Sequence, residues 1–529
     1  MKYDHISFVN YNMNQLVLPL DLEILIPQNH LSTIVHEAVE KLDDTLLFQP
    51  YKGGGRPSYH PKMLLKVIVY AYTQKVYSGR QMEKLLTENI YFMWLSGSQT
   101  PDFRTINRFR SERMKDIIYQ VFFSIVELLR EKGLVKLEHY FVDGTKIEAN
   151  ANQYTFVWRK ATEKYDKSLD DKYRQLAFQI EQILEEEEKS APSAGLEEKL
   201  KETPITSEQI EHSIKKLEKH LETEPKNKEA KKVVRLLKKD YLPRKVKYEE
   251  QNRLFNGRNS FSKTDTDATF MRMKEDHMRN GQLKPGYNVQ TGTEGQFITG
   301  FSLHQRAGDP SCLIPHLKHL EVHGVKPQKI VADSGYGSEE NYDFLEREGR
   351  TAYIKYNTFD QEQKKSWKKK IDRVENMEYD EEVDEFICAN KQRLIFQYET
   401  TRTSDNEYVS IKRRYSCFEC TGCPFQITCA KGKEQKTITI SLENQRQRKE
   451  IRERLQSEEG RKLYSQRKCD VESVFGQLKH NQQFRRFSMR GLQKNTIEWG
   501  LLCVAHNCKK MQKAIKRNKE MRKIDTNKG

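Results

Sequence analysis

The sequence predicts a mixed α/β protein with large helical additions, and three observations carry that expectation. After a helical first quarter the pattern switches near Leu137 to short β-rich apolar runs, LEHYFVDGTKIEA, YNVQ, FITGFSL, KIVA and TAYIKY. Those runs alternate with amphipathic segments, PSCLIPHLKHLEVHG and NYDFLEREG. The resulting order of strand, hairpin, helix, strand, helix, strand requires a crossover connection. Two stretches of different composition interrupt the rhythm, one charged and helical, the other holding four of the nine cysteines.

Residues 1–135 read as all-helical. VLPLDLEILIP and HLSTIVHEAVEKL are short apolar pieces, the second at helical spacing. Gly53, Gly54, Gly55 and Pro57 break the chain, and Pro61 opens the buried helix MLLKVIVYAYTQ. GRQMEKLLTEN, IYFMWLSG and DFRTINRFRSERMKDIIYQVFFSIVELLREKG follow as further helices. Arg104, Arg108, Arg110, Arg113 and Lys115 give the later part a basic side. Two readings fit, a helix-turn-helix type of DNA reader and an ordinary bundle with solvated arginines.

Residues 136–357 carry the strand pattern and contain a charged helical stretch at 156–255. There Leu176, Ile180 and Ile183, then Ile210, Ile214, Leu217 and Leu221, then Val234 and Leu237 recur at three- and four-residue spacing. They predict a helical hairpin or a short coiled coil. EEEEKSAPSAGLEEKLKETP has the composition of the loop between its helices. Past it, residues 287–290 and 297–303 flank TGTEG as an antiparallel hairpin. Residues 358–455 hold strand-like EFICAN, QRLIFQYETT and TITIS around the cysteines. Residues 456–510 carry the amphipathic VESVFGQLKHN, and 511–529 form a basic tail.

The chain has 529 residues, and its 92 Lys and Arg against 76 Asp and Glu leave a net charge of +16. Such a balance favours a polyanionic partner, nucleic acid foremost. No apolar run approaches the length that spans a bilayer, and MKYDHISFVNYN is not a secretory signal, so the expected location is cytoplasmic, nucleoid-associated when bound to DNA. The cysteines fit that compartment as thiols or ligands, because four crowd into one segment instead of spreading as a disulfide framework.

Three carboxylates stand out. Asp333 follows the apolar run of KIVADSGYGSEEN at a Gly- and Ser-rich turn, Asp143 follows Tyr-Phe-Val in HYFVDGTKIEAN, and Glu472 lies within the helical KCDVESVFGQLKH. A lone aspartate at such a place is ordinarily a cap or turn former. Together, two aspartates and a glutamate suit a pair of Mg²⁺ ions working on a phosphodiester, with Asp143 bridging. Cys417-x2-Cys420-x2-Cys423-x5-Cys429 suits a tetrahedral Zn²⁺, with an iron–sulfur centre or unmetallated thiols as competitors. Cys312, Cys388, Cys469, Cys503 and Cys508 read as scattered thiols. In QQFRRFSMRG, Arg485 and Arg486 beside Phe484 and Phe487 suggest either a grip on distorted DNA or a hydrophobic helix-end contact.

Several pieces together, GRPSYHPKMLLKVIVYAY, FRTINRFR, FVDGTKIEAN, KTDTDATFMR, GYNVQ, ADSGYGSEEN, the four-cysteine segment and RKCDVESVFGQLKHNQQFRRFSMRG, resemble the DDE-type transposases of bacterial insertion sequences, and they occur in the family order. The resemblance implies a ribonuclease H-like mixed sheet with helices on both faces, interrupted by a helical and a small cysteine-containing insertion and preceded by a helical DNA-binding region. It implies Asp143, Asp333 and Glu472 as the catalytic triad, holding two Mg²⁺ or Mn²⁺ ions. It further implies double-stranded DNA with terminal inverted repeats and a target DNA as partners, and a homodimer or higher oligomer on DNA. The implied reaction exposes a DNA 3′-OH and joins it to the target. A metal-dependent nuclease without strand joining and a silent DNA-binding derivative are the alternatives.

Relatives often show Tyr, two residues, Arg, three residues, Glu, six residues, Lys. Here Lys479 keeps the last place, but Lys468 and Ser465 stand at the Arg and Tyr places, with Tyr464 and Arg467 one residue early. Arg467, Lys468 and Lys479 are thus candidate DNA contacts. Asp265 and Asp267 in KTDTDATFMR are accessory candidates, for the metal pocket or for capping a turn.

Overall fold

The computed structural model describes residues 22–51, 58–185, 203–273, 281–404 and 406–526. The apolar piece at 17–20, the glycine break at 53–57 and most of the loop expected at 185–204 lie outside the described residues. So do residues 527–529 of the basic tail.

A mixed sheet forms the centre. Its strands are β1 (His139–Glu148), β4 (Thr269–Arg272), β5 (Leu283–Glu294), β6 (Phe297–His304), β7 (Lys329–Ala332) and β8 (Thr351–Ile354), while β2 (Phe156–Trp158) and β3 (Ser260–Ser262) pair apart from it. β5 pairs antiparallel with β1 on one side and with β4 and β6 on the other; β1, β7 and β8 run parallel. Both the expected hairpin and the expected crossover back to the KIVA strand are present. The parallel half demands cover on both faces, which the hydrophobic clusters supply.

One face is covered by the N-terminal helices α1 (Leu31–Glu40), α2 (Pro61–Thr73), α3 (Gly79–Glu88), α4 (Ile90–Ser96), α5 (Phe103–Arg108) and α6 (Ile118–Glu131). Every residue of α2 is buried, as its all-round apolar sequence requires. Its start is fixed by Pro61 in the first turn and by His60 Nδ1, which accepts from the Lys62 amide. These helices share one core with Ile147, Val289, Phe301 and the chain-terminal helix, so they are continuous with the sheet and not a detached lobe. On the opposite face α11 (Leu313–Val322), α12 (Glu339–Arg347), α13 (Leu442–Gln456) and α14 (Glu458–Arg467) pack Leu317, Leu345, Ile451 and Leu463 onto Val142, Ile330 and Ile354.

Among the described residues the charged stretch holds four helices around a core of their own, more than a simple hairpin: α7 (Arg159–Glu185), α8 (Ser207–Thr223), α9 (Lys228–Leu236) and α10 (Leu242–Phe255). The striped residues Leu176, Ile180, Ile183, Ile210, Ile214, Leu217 and Leu237 are its interior. Lys245 lies within it, 2% exposed, with its Nζ 2.7 Å from Asp166 Oδ1 and 2.6 Å from Asp170 Oδ1.

The cysteine-bearing stretch is a five-stranded antiparallel sheet of β9 (Glu378–Asp380), β10 (Glu385–Ile387), β11 (Arg393–Thr403), β12 (Val409–Cys417) and β13 (Lys436–Ile440). β9 and β12 are polar enough to have escaped the sequence reading. The last helix, α15 (Leu492–Thr526), packs against α2 and β6 and shares one core with the N-terminal helices. Among the described residues no helix is long and apolar enough to cross a membrane.

Candidate active site and cysteine pocket

Asp143 sits in the middle of β1 and not at its end. The β1–β7 ladder pairs Phe141 with Val331 and stops, while β1 continues against β5 to Glu148. That ladder ends two residues short of Asp143 and Asp333, and both carboxylates lie near enough to Tyr336 to act on its phenol. Asp333 caps the turn Ser334–Tyr336, its Oδ1 accepting from the Gly335 amide at 2.8 Å. Glycine follows Asp143 for a reason of space: a Cβ at Gly144 would run into the Asp309 and Gln290 side chains.

Beneath this turn lies a buried polar chain. Tyr336 donates to Gln290 Oε1 (2.5 Å), Gln290 Nε2 donates to Asp309 Oδ1 (3.1 Å), and Asn288 Nδ2 donates to the same oxygen (2.7 Å). Burial first, then the charges of Asp309, Asp143 and Asp333, hold the Tyr336 phenol well above its ordinary pKa, so it stays a donor. Asp309 is a fourth carboxylate at this sheet edge. The sequence reading missed it because HQRAGDPS shows no strand end; its two amide partners at alternate positions of GYNVQ were the available signal.

Glu472 ends a π-helical turn, Lys468–Glu472, inserted after α14. A π turn adds one residue to a helical face, so residues five apart meet where residues four apart would otherwise do so. Arg467 and Glu472 are such a pair: Arg467 Nη2 lies 2.9 Å from Glu472 Oε1 and Nη1 lies 3.9 Å from Asp143 Oδ2. The one-residue offset of the Tyr and Arg places is thereby absorbed in the backbone. Arg467, not Lys468, faces the carboxylates, and Lys468 is exposed. Tyr464 completes the group, its ring 5.6 Å from the Arg467 guanidinium carbon. Burial raises its pKa, Arg467 opposes the shift, and Asp333 adds to it.

Three carboxylates are the hard oxygen donors that suit Mg²⁺. Their spacing, however, does not close around an ion: among the described residues no group of three or more His, Cys, Asp or Glu side chains stands close enough to hold a metal. The Arg467 guanidinium, 8% exposed and with its Nε lacking a hydrogen-bond partner, lies between Asp143 and Glu472.

The other candidate residues are placed as follows. Arg104 and Arg108 are exposed on α5, Arg108 paired at 3.9 Å with Glu112, whereas Arg110 is buried and donates to Tyr72 and the Tyr77 carbonyl. Phe484 and Phe487 are 2% exposed among Tyr77, Tyr287 and Trp499, which makes them core residues and leaves no ring for DNA. Arg485 is exposed beside His480, and Arg486 donates to the Ala149 and Ala151 carbonyls. Lys479 is buried. Asp265 accepts from Tyr287 and the Gly491 amide, and Asp267 from the Leu492 amide; both therefore cap the start of α15.

In the cysteine-bearing sheet, Cys417, Cys420, Cys423 and Cys429 line a cavity of about 20 Å³, and Cys388, from the turn after β10, lines it too. The sequence reading missed Cys388 because 28 residues, most of them in a β-ribbon, separate it from Cys417. Burial, with Cys420 and Cys388 adding to it, pushes the Cys417 thiol up to about 12.

No curated protein and no solved structure matches the chain. Two family models do match parts of it: residues 20–112 match the one described as Transposase domain (DUF772), and residues 387–512, which include Glu472 and all five pocket cysteines but neither Asp143 nor Asp333, match the one described as Transposase DDE domain. The chain thus carries, in parts of its length, a DDE-type transposase domain and a separate transposase domain.

Proposed function

We propose that this protein is a DNA transposase that cleaves at the terminal inverted repeats of its insertion sequence, exposes a 3′-OH and joins it to target DNA. One observation carries the reading. Arg467 contacts both Asp143 and Glu472, and the charges of Asp143 and Asp333 both act on Tyr336, in a chain of which two transposase models match parts. A first aspartate on a central strand, a second after the neighbouring parallel strand and a glutamate on a covering helix also support a ribonuclease H-like core.

A pair of Mg²⁺ or Mn²⁺ ions, when bound, supplies charge neutralisation at the scissile phosphate and an activated oxygen. Asp143, Asp333 and Glu472 would hold the ions. Arg467 then has phosphate as its alternative partner, a planar donor fork that suits a bidentate contact. Exposed Arg104, Arg108, Lys468 and Arg485 provide backbone contacts to DNA, and the net charge of +16 supports such a partner. Water attacks first, freeing the 3′-OH, and that hydroxyl then attacks the target phosphodiester, with no covalent protein intermediate. Two ends held together call for a dimer or higher oligomer. The cysteine pocket is read as a structural Zn²⁺ site.

The test uses labelled duplexes bearing the flanks of the protein's own coding sequence, a supercoiled target plasmid and Mg²⁺. Joined product is expected. Cleavage without joining indicates a nuclease, and binding alone indicates a non-catalytic protein. Asp333→Ala should abolish cleavage and keep the gel shift; retained cleavage refutes the site.

A further inference from the structure

We infer that Cys388 is a ligand of the metal in the cysteine pocket, closing the site from the β10–β11 turn, so that one cysteine of the 417–429 segment is left outside the coordination sphere. The inference rests on the Zn²⁺ reading above and changes its ligand set.

The argument begins with placement. Cys388 leaves β10 at a tight turn, where its amide donates to the Gln392 carbonyl and its carbonyl accepts from Lys391. Cys417 leaves the sheet at the end of β12, and Cys420 follows it in the loop. β11, which starts next to the Cys388 turn, is the direct partner of β12, pairing Ile395 with Ser416. The sheet therefore delivers Cys388 and Cys417 to the same end of the small domain. The cavity between the thiols, about 20 Å³, has room for one water-sized occupant and no more. Cys388 is near enough to both Cys417 and Cys429 to interact with them electrostatically.

Chemistry narrows the occupant. Sulfur-only donors select a thiophilic cation, and a tetrahedral Zn²⁺ takes four thiolates where five line the cavity. Four thiolates on a divalent ion leave net negative charge, and a cation stands beside them: Lys436 lines the cavity, its Nζ donating to the Cys429 carbonyl at 3.0 Å and the Asp372 carbonyl at 2.9 Å. The surroundings give the thiols little else to do. Among the described residues the buried core beneath them is Phe386, Leu394, Tyr415, Ala430, Ile438 and Ile440 besides Cys417 and Cys420, with Val374, Met377, Tyr379 and Leu442 half-buried against it; this is small for a five-stranded sheet, and a bound metal would pin its open end. In this structure the thiols ring the cavity without closing to ligand distance, so binding draws their side chains inward by rotation.

The experiment is metal analysis of the full chain purified without oxygen, beside single Ser variants at the five positions, with Co²⁺ substitution to count thiolates. Expected are about one Zn²⁺ per chain, a four-thiolate cobalt spectrum, and metal retained in one Ser variant only, that variant lying within 417–429. Cys388→Ser should weaken Zn²⁺ by at least tenfold, since even outer-shell changes cost about 10–100-fold. Cys388→His, which restores a ligand, should regain the metal with an altered cobalt spectrum; a merely structural role predicts no such rescue. Wild-type metal content with an unchanged cobalt spectrum in Cys388→Ser overturns the inference. A wild-type protein free of metal overturns instead the reading on which it rests, and iron in place of zinc overturns the choice of metal.

Discussion

Replacing Arg467 by Gln should make divalent cations bind more tightly at the carboxylates. The guanidinium is the cation now standing between Asp143 and Glu472, so an incoming ion must displace it. The contact with Glu472, at 2.9 Å, contributes only about 0.5–1 kcal/mol, because the Glu472 side chain is 49% exposed. The contact with Asp143 is longer, at 3.9 Å, but both side chains are about nine-tenths buried. At an effective dielectric constant of 20, Coulomb attraction at that distance is about 4 kcal/mol, most of it offset by the desolvation of both groups. A net of roughly 1.4 kcal/mol removed from the competing cation corresponds to about a tenfold gain in affinity. Mn²⁺ binding followed by electron paramagnetic resonance, on protein without DNA, reads this directly. Arg467→Lys should fall between wild type and Arg467→Gln, and Asp143→Asn should lose the site. Unchanged or weaker Mn²⁺ affinity in Arg467→Gln would show that the guanidinium does not occupy the ion's place.

Further expectations concern the frame around the site. Lys245→Ala removes the cation shared by buried Asp170 and half-buried Asp166, which keep the Ile205 amide and Asn252 as donors, and should cost about 3 kcal/mol locally, seen as faster hydrogen exchange in α7 and α10 with the central sheet unchanged. Gly337→Ala places a methyl against the Lys355 carbonyl and the Tyr356 Cα. The overlap should destabilise by about 1–3 kcal/mol and disturb the Asp333 turn, lowering the melting temperature and Mn²⁺ binding together. Burial alone would raise the Glu362 carboxyl, but hydrogen bonds from Thr358, Tyr356 and Arg452 outweigh it and hold the pKa below its ordinary 4.5. The unfolded chain then binds the proton more tightly than the folded one. The stabilisation is therefore present above the ordinary carboxylate pKa and lost as pH falls through the depressed one. Thermal melts across the acid range should show a shallower acid loss in Glu362→Gln than in wild type.

Local pattern made much of this molecule legible. Pro61 and the apolar run after it marked α2, the stripe from Leu176 to Leu237 marked the interior of the helical unit, and short β-rich apolar runs marked β1, β5, β6 and the short parallel strands. Such signals survive in one dimension because a helix or strand writes its own period into its residues. The polar strands β9 and β12 wrote none, since their burial is partial and most of their side chains are polar.

By itself the sequence determined the types of residue available for chemistry: two aspartates after apolar runs, a glutamate in a helical stretch, and four closely spaced cysteines. Only the tertiary structure decided who meets whom. The parallel pairing of β1 with β7 brings together the strands that carry Asp143 and lead to Asp333, one extra residue taken up in a π turn aims Arg467 and not Lys468 at Glu472, and the pairing of β11 with β12 carries Cys388 to the other thiols. The reason is common to all three. Spacing along a chain encodes geometry only within one regular element, whereas contacts between elements depend on hydrogen-bond register and packing, which residues far apart in sequence fix jointly.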